Sequence, residues 1–198
     1  MNFAIIALAR YKGDHDLLFY ELVLVKTFLL LLLFLIVGPV LAKSNLEKSG
    51  DIIHLLLPAT ALTASLVIED NYQGSWQLIK SGLVSRVAVE GIKFTVEKDR
   101  PDGSGDDSLP SGHTADSFAA ATFIQQRYGW QWGIPAYIGA TFVGYSRVQS
   151  NKHYAVDVLA GAAIGVISGL YFTEPYSGIT ILPTASLGHY GLSFSGTF

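Results

Sequence analysis

The sequence predicts an all-α, membrane-associated bundle of about five to six helices, ending in a short irregular or β-like tail. Three observations carry this expectation. Half of the 198 residues are apolar, and the mean hydropathy is positive. Charged residues make up only 15%, short of the roughly one quarter usual in soluble domains. Apolar segments also recur at regular intervals, separated by short polar stretches. The net charge of −3, with no basic stripe, argues against a nucleic-acid partner. The absence of cysteine excludes disulfides, thiol catalysis and cysteine-ligated metals.

The first strong element is the ten-residue apolar run from Phe28 to Val37, shortly after Lys26. With Gly38-Pro39 and the polar Lys43-Ser44-Asn45 beyond it, this stretch has the form of a secretory signal cleaved after Ala42. It is also long enough, over 22–42, for an uncleaved membrane helix of about 20 residues. The mixed charges of the first 21 residues suit neither form, which suggests a translation start between Leu22 and Val25.

Five further apolar segments follow, and most are shorter than the ~20 residues of a full span. Segment 52–67 carries Pro58. In segment 82–96, Val84, Ala88, Ile92 and Val96 recur every four residues, as on one helical face. Segment 115–128 is alanine-rich, with Ser111 or Thr114 as its N-cap. Segments 133–145 and 155–172 complete the set. Gly161, Gly165 and Gly169 are spaced to let the last helix approach a neighbour closely. Trp130 and Trp132 suit interfacial anchors or loop aromatics. The tail from Thr173 to Phe198 has no lysine or arginine, and its Ile179, Ile181, Tyr190, Leu192 and Phe194 read as short strands. A tail without basic residues favours the envelope side of a membrane.

The chemistry is concentrated in three stretches: Lys93-x6-Arg100-Pro101, Pro110-Ser111-Gly112-His113 and Ser146-Arg147-x5-His153-x3-Asp157. Lys93, Arg100 and Arg147 supply cations for the charge that phosphoryl transfer spreads over three oxygens. Lys93 and Arg100, seven apart, share one face if the helix continues to Pro101. Ser111 and Gly112 open a helix whose N-terminal amides suit an anion. His113 beside them can protonate a departing oxygen. His153 and Asp157, four apart, can share a helical face, with the carboxylate fixing one ring nitrogen and freeing the other to attack. Each feature alone is more often a solvated charge, a capped helix or a surface contact; jointly they are specific.

In order and in internal spacing, the three stretches resemble the tripartite signature of the type 2 phosphatidic acid phosphatase superfamily. That family includes bacterial class A acid phosphatases and vanadium haloperoxidases. The resemblance covers Lys93 to Asp157, about a third of the chain. It implies His153 as nucleophile through a phosphohistidine, Asp157 orienting it, and His113 as general acid and then base. Lys93, Arg100, Ser111, Gly112 and Arg147 would hold the phosphoryl oxygens, with no metal or other cofactor. The implied organisation is an N-terminal extension with its signal or anchor over 1–42, a phosphatase domain over 43–172, and a tail over 173–198.

The expected function is hydrolysis of phosphate monoesters or pyrophosphates of membrane lipids in a bacterial-type envelope. The site would face the periplasm, or the chain would be released there after cleavage near Ala42. Candidate substrates are phosphatidate, phosphatidylglycerol phosphate, a polyprenyl pyrophosphate or a lipid A phosphate. A soluble periplasmic acid phosphatase is the nearest rival. A non-catalytic binder of phospholipid head groups is the rival of another class, although binding alone needs no histidine pair. The acidic loop of Asp99, Asp102, Asp106 and Asp107 reads as flexible and solvated rather than as a calcium site, and it stands to tune substrate choice.

Overall fold

The computed structural model describes residues 43–176, 179–186 and 189–196. The signal or anchor and the translation start lie outside the described residues. Five helices follow one another: α1 (Lys43–Ile68), α2 (Gln73–Thr95), α3 (Gly112–Tyr128), α4 (Trp130–Gln149) and α5 (Ala155–Phe172). The tail forms a hairpin of antiparallel strands β1 (Ile179–Ser186) and β2 (His189–Gly196), with Ile181 paired to Phe194 and Pro183 to Leu192. The strand pattern expected of the tail is therefore present.

Helix α3 is the axis of the bundle and packs against the other four helices. Its sequence explains that position. Ala115, Ala119, Ala120 and Ala121 are all buried, and small side chains let neighbours approach on several sides at once. Phe123, fully buried, packs in one core cluster with Ala61, Leu78, Ile124, Ala136 and Ala140. On α5 the three glycines face α3. A Cβ on Gly161 would collide with the Ser111 carbonyl, one on Gly165 with the Ala115 carbonyl, and one on Gly169 with Thr122. The glycine spacing thus sets the α3–α5 approach, and at Gly161 it presses α5 against the start of α3.

Large apolar side chains lie mainly on the outside. Leu55, Val67, Leu83, Val87, Phe94, Leu159 and Ile167 are exposed, while buried serines line α2 at positions 75, 81 and 85. Ser65 and Ser75 bond to each other at 2.8 Å, and Ser168 donates to the Ser81 carbonyl at 2.6 Å. A surface of this kind is matched to acyl chains, with small and hydroxylated residues joining helices within. Two helical stretches are long and apolar enough to cross a membrane, Asn45–Ile68 and Ala155–Phe172.

Four helices are longer than their apolar segments. The polar residues that start α1 at Lys43 and α2 at Gln73 are helical too, because neighbouring helices pack along the full length. Pro58 does not interrupt α1, where Leu57 packs on the core one residue before it. Trp130 and Trp132 belong to the first turn of α4, both exposed, with Trp130 stacked on Tyr137.

Two local expectations are corrected. Helix α2 ends at Thr95, and Val96 is already extended, so Lys93 and Arg100 do not share a helical face. Likewise α5 begins at Ala155 after its N-cap Tyr154, which leaves His153 in the preceding turn rather than on a helix with Asp157.

Candidate active site

The site forms at one end of the bundle, where α2 and α4 finish and α3 and α5 begin. Lys93 lies in the last turn of α2 and Arg147 in the last turn of α4. Each cation there also faces the negative end of a helix dipole. The loop from Val96 to Ser111 joins α2 to α3. It is tied to itself by bonds from the Lys98 amide to the Asp106 carbonyl (2.8 Å) and from the Ser108 amide to the Lys98 carbonyl (2.9 Å).

Within that loop Asp107 brings the two separated cations together. Arg100 donates to it twice, through Nε at 2.7 Å and Nη2 at 2.9 Å, and Lys93 donates at 3.1 Å. The fork-on-carboxylate geometry is the one a guanidinium makes with any planar or tetrahedral oxyanion. The Arg100 guanidinium, against some cost of burial, holds the Asp107 carboxyl well below the usual carboxylate range. Asp102 is held low in the same way by the Ser104 side chain and by Lys152, which it meets at 2.9 Å. The acidic loop is therefore clamped by ion pairs rather than loosely solvated. Among the described residues, no three His, Cys, Asp or Glu side chains gather as metal ligands would.

His153 is 4% exposed. Its Nδ1 lies 2.7 Å from the Ser108 carbonyl, a pure acceptor, so Nδ1 carries the proton and Nε2 keeps its lone pair. Burial pushes the imidazole down to about 4; the Ser108 carbonyl opposes this, and Arg100 and Lys93 add to it. At neutral pH the ring is uncharged, with the Nε2 lone pair available.

Asp157 does not touch His153 as the four-residue spacing led us to expect. Fully buried, its carboxylate pairs with Lys98 and accepts from the Ser108 hydroxyl at 2.6 Å and from the Tyr154 amide at 3.0 Å. It thus caps α5 and fixes Ser108, whose carbonyl in turn fixes the imidazole. The Asp157 backbone carbonyl also accepts from the Ser111 amide at 2.9 Å, which joins the third motif to the second.

At the start of α3, Ser111 is the N-cap residue but makes no side-chain cap bond; its hydroxyl accepts instead from Thr114 at 2.9 Å. First-turn amides of a helix lack intrahelical partners and point outward toward an anion. Gly112 has a steric reason as well: a Cβ there would lie 2.8 Å from the Arg86 guanidinium.

His113 sits in a different setting. Its Nε2 is 3.3 Å from Asp51, which also accepts from Arg147 at 2.9 Å. Arg147 is 4% exposed and donates further to the Glu47 carbonyl at 2.8 Å. The His54 ring packs on His113, centroids 4.3 Å apart. Burial pushes His113 down to about 4, and the His54 ring and Arg147 push the same way against Asp51 and Asp116. A bound phosphate dianion would reverse that balance and favour the protonated ring.

Seven of the eight residues anticipated from the motifs make contacts that run through Asp107, Asp157 or Asp51, and Gly112 adjoins them at the start of α3. Sequence reasoning missed Asp51, His54, Arg86, Lys98, Ser108 and Asp116. For Asp51, His54 and Arg86 a signal existed, since ionisable residues inside apolar helices are costly and rarely idle. Lys98 and Ser108 carried none.

With this geometry in hand, comparison with known proteins places the chain. The model of the PAP2 superfamily matches residues 28–177. The lipid A 1-phosphatase of Porphyromonas gingivalis is 44% identical over 85 residues, 41% of this chain and 19% of that protein. The lipid A 4'-phosphatase of Helicobacter pylori is 32% identical over 142 residues, 66% of this chain and 71% of that protein. The match thus spans about a fifth of the first relative's length and about seven-tenths of the second's. The crystal structure of LpxE from Aquifex aeolicus has the same fold, with a TM-score of 0.56 at 23% identity over 72% of this chain and 92% of that one. The family model covers most of the chain and takes in all three motifs: the chain belongs to the PAP2 superfamily.

Proposed function

We propose that this protein is a metal-independent phosphatase of membrane lipids that works through a phosphohistidine on His153. The observation that carries the reading is the pairing of two differently held histidines. His153 is fixed with Nε2 free, and His113 is held where an anion would protonate it. In the first step Nε2 attacks phosphorus, the bond to the leaving oxygen breaks, and His113 gives that oxygen its proton. In the second step water attacks, His113 takes a proton from it, the P–N bond breaks, and phosphate leaves with His153 neutral again. Lys93, Arg100, Arg147, the Ser111 hydroxyl and the Gly112 amide meet the charge on the equatorial oxygens. Asp157 acts through Ser108 to hold the nucleophile.

The apolar exterior and the lipid phosphatases among its relatives support a lipid substrate. Phosphatidate, phosphatidylglycerol phosphate, a polyprenyl pyrophosphate and a lipid A phosphate are the candidates. The same features support an inner-membrane location, whereas the tail without basic residues follows the end of α5, opposite the site, and so gives no support to a site on the periplasmic side.

The test is phosphate release by the purified protein in detergent with EDTA, beside His153→Ala. The reading requires EDTA-resistant release that the variant loses by about 10³-fold or more. Release that survives in the variant rules out the covalent route. Tight head-group binding without any turnover would make the protein a binder.

A further inference from the structure

The chemistry at the motif end makes no use of the β1–β2 hairpin, yet the hairpin is sharply patterned. Cross-paired residues of an antiparallel ribbon share a face, and the faces alternate along each strand. The register therefore groups Ile181 with Phe194, Pro183 with Leu192 and Ala185 with Tyr190 on one face, together with Ile179. The other face holds Thr180, Thr184, Ser186, Ser193 and Ser195, with Leu182 as its one large apolar residue. From Pro175 to Phe198 the chain has no Asp, Glu, Lys or Arg. A ribbon that is apolar on one face, hydroxylated on the other and uncharged fits a boundary between lipid and water.

The root of the hairpin is held at such a boundary. The Tyr176 amide donates to the Arg127 carbonyl at 3.1 Å, at the end of α3, and the Glu174 amide donates to Gln77 Oε1 at 3.2 Å, on α2. Strand β1 begins just beyond, at Ile179, so the hairpin leaves the bundle at the end opposite the motifs. Exposed aromatic residues ring that end: Tyr72 and Trp76 at the start of α2, Trp130 and Trp132 at the start of α4, and Tyr171 at the end of α5. Tryptophan and tyrosine collect where acyl chains give way to head groups. Helix α5, long and apolar enough to cross a membrane, stops at Phe172 at the same level.

Neither bulk water nor the hydrocarbon interior suits this hairpin. Two strands alone are marginally stable in water, and among the described residues no helix packs along them. The sheet has two strands, so each keeps an open edge, without the charged residues that usually guard one. Within hydrocarbon the N–H and C=O groups of those edges have no water to bond, which is costly. At head-group level the edges stay hydrated while the apolar face meets acyl chains. We propose that the β1–β2 hairpin lies flat on the membrane surface at the end of the bundle away from the motifs, with the face of Ile181, Leu192 and Phe194 on lipid. Lacking basic residues, it is held by apolar contact and not by anionic head groups, so neutral lipid suffices. This placement depends on the membrane location proposed above and is independent of the phosphoryl chemistry.

The chain has no cysteine, so single-cysteine variants can be spin-labelled without background. Ile181→Cys, Leu192→Cys and Phe194→Cys report on the apolar face, and Thr180→Cys, Ser193→Cys and Ser195→Cys on the other. Ile167→Cys, on the exposed side of α5, is the lipid reference. The full chain is reconstituted in phosphatidylcholine vesicles. Collisions of each label with oxygen, which concentrates in lipid, are compared with those of a water-soluble nickel chelate. Oxygen should dominate in the first three variants and nickel in the next three, the preference reversing with the two-residue period of the strands. Should one label disturb the hairpin, the other two on its face carry the pattern. Nickel dominance in all six leaves the hairpin in water and overturns the proposal. Oxygen dominance in all six overturns it too, because the strands would then be immersed. Few collisions with either reagent in the first three variants would mean that protein, such as a second copy of the chain, covers the face, which also overturns it. An Ile167→Cys label that favours nickel overturns the membrane location itself, and the placement of the hairpin with it.

Discussion

The two ends of the bundle both gather charge, but they balance it differently. At the end away from the motifs, Arg127 and Glu69 form an ion pair whose side chains are 1% and 0% exposed. Arg127 Nε and Nη2 bond the two Glu69 oxygens at 2.9 and 2.6 Å, and Nη1 bonds the Glu174 carbonyl at 2.9 Å. Glu69 also accepts from the Tyr128 hydroxyl and the Gly74 amide. The Arg127 and Glu69 charges there are both met within the fold. At the motif end, Lys93 and Arg100 share the single carboxylate of Asp107, and Arg147 shares Asp51 with His113. These three cations meet two carboxylates. A closed network fastens helices, whereas an open one has capacity left for an anion. The same residue types thus close on one another at one end and keep capacity for an anion at the other.

The largest expected effects are those that separate these roles. His153→Ala should lower phosphate release by about 10³-fold or more while thermal melting in detergent moves by only a few degrees. At the closed end, Glu69→Gln leaves a buried guanidinium without its counter-charge and should cost about 3–5 kcal/mol. For a chain of this size that lowers the melting temperature by roughly 10 °C. The double variant Glu69→Gln with Arg127→Gln should recover part of the loss, because the uncompensated charge is gone. If Glu69→Gln melts like the wild type, the distal pair is not the fastening described.

How much of this was legible beforehand differs between the two ends and between local and distant contacts. The span of α5 was read correctly because its apolar run is bounded by polar residues on both sides and its glycines repeat by turns. The eight residues expected at the site were singled out because each motif is a short unit with its own spacing. What spacing did not reveal was which residues meet. Asp157 was assigned to His153, four positions away, yet its partners Lys98 and Ser108 stand 59 and 49 positions off. Lys93 and Arg100 were joined through a helix that stops at Thr95; they meet through Asp107, which looked like a solvated loop residue. Such pairings depend on how the α2–α3 loop folds back, and periodicity has no information about that. The Arg127–Glu69 pair was unseen for the same reason, its members being 58 residues apart.

The open end should also be sensitive to pH in a way that the closed end is not. Burial holds His153 in its neutral form, with an imidazole pushed from 6.5 down to about 4. The contribution of this group is therefore complete above about 6.5 and is lost as the pH falls toward 4, because protonating the ring then competes with folding. Melting temperature should decline across that window, by an amount equivalent to a few kcal/mol at most. His153→Asn retains a donor toward the Ser108 carbonyl but does not titrate, so its decline should be shallower. An equal decline in wild type and variant would assign the pH dependence to other groups.

The smallest effect concerns Asp107, and it bears directly on the difference between a closed network and an open one. Its carboxylate already sits on Lys93 and Arg100, the cations expected to hold the phosphoryl group. Those cations keep it ionised through the physiological range, so pH does not release it. An arriving phosphate must therefore displace this carboxylate or share the two cations with it. In Asp107→Asn the shape is kept and the negative charge removed, and inhibition by inorganic phosphate or vanadate should tighten by up to about tenfold, near 1.4 kcal/mol. Weaker inhibition in the variant would mean that Asp107 chiefly aligns the cations, and that this part of the open end is built more like the closed one.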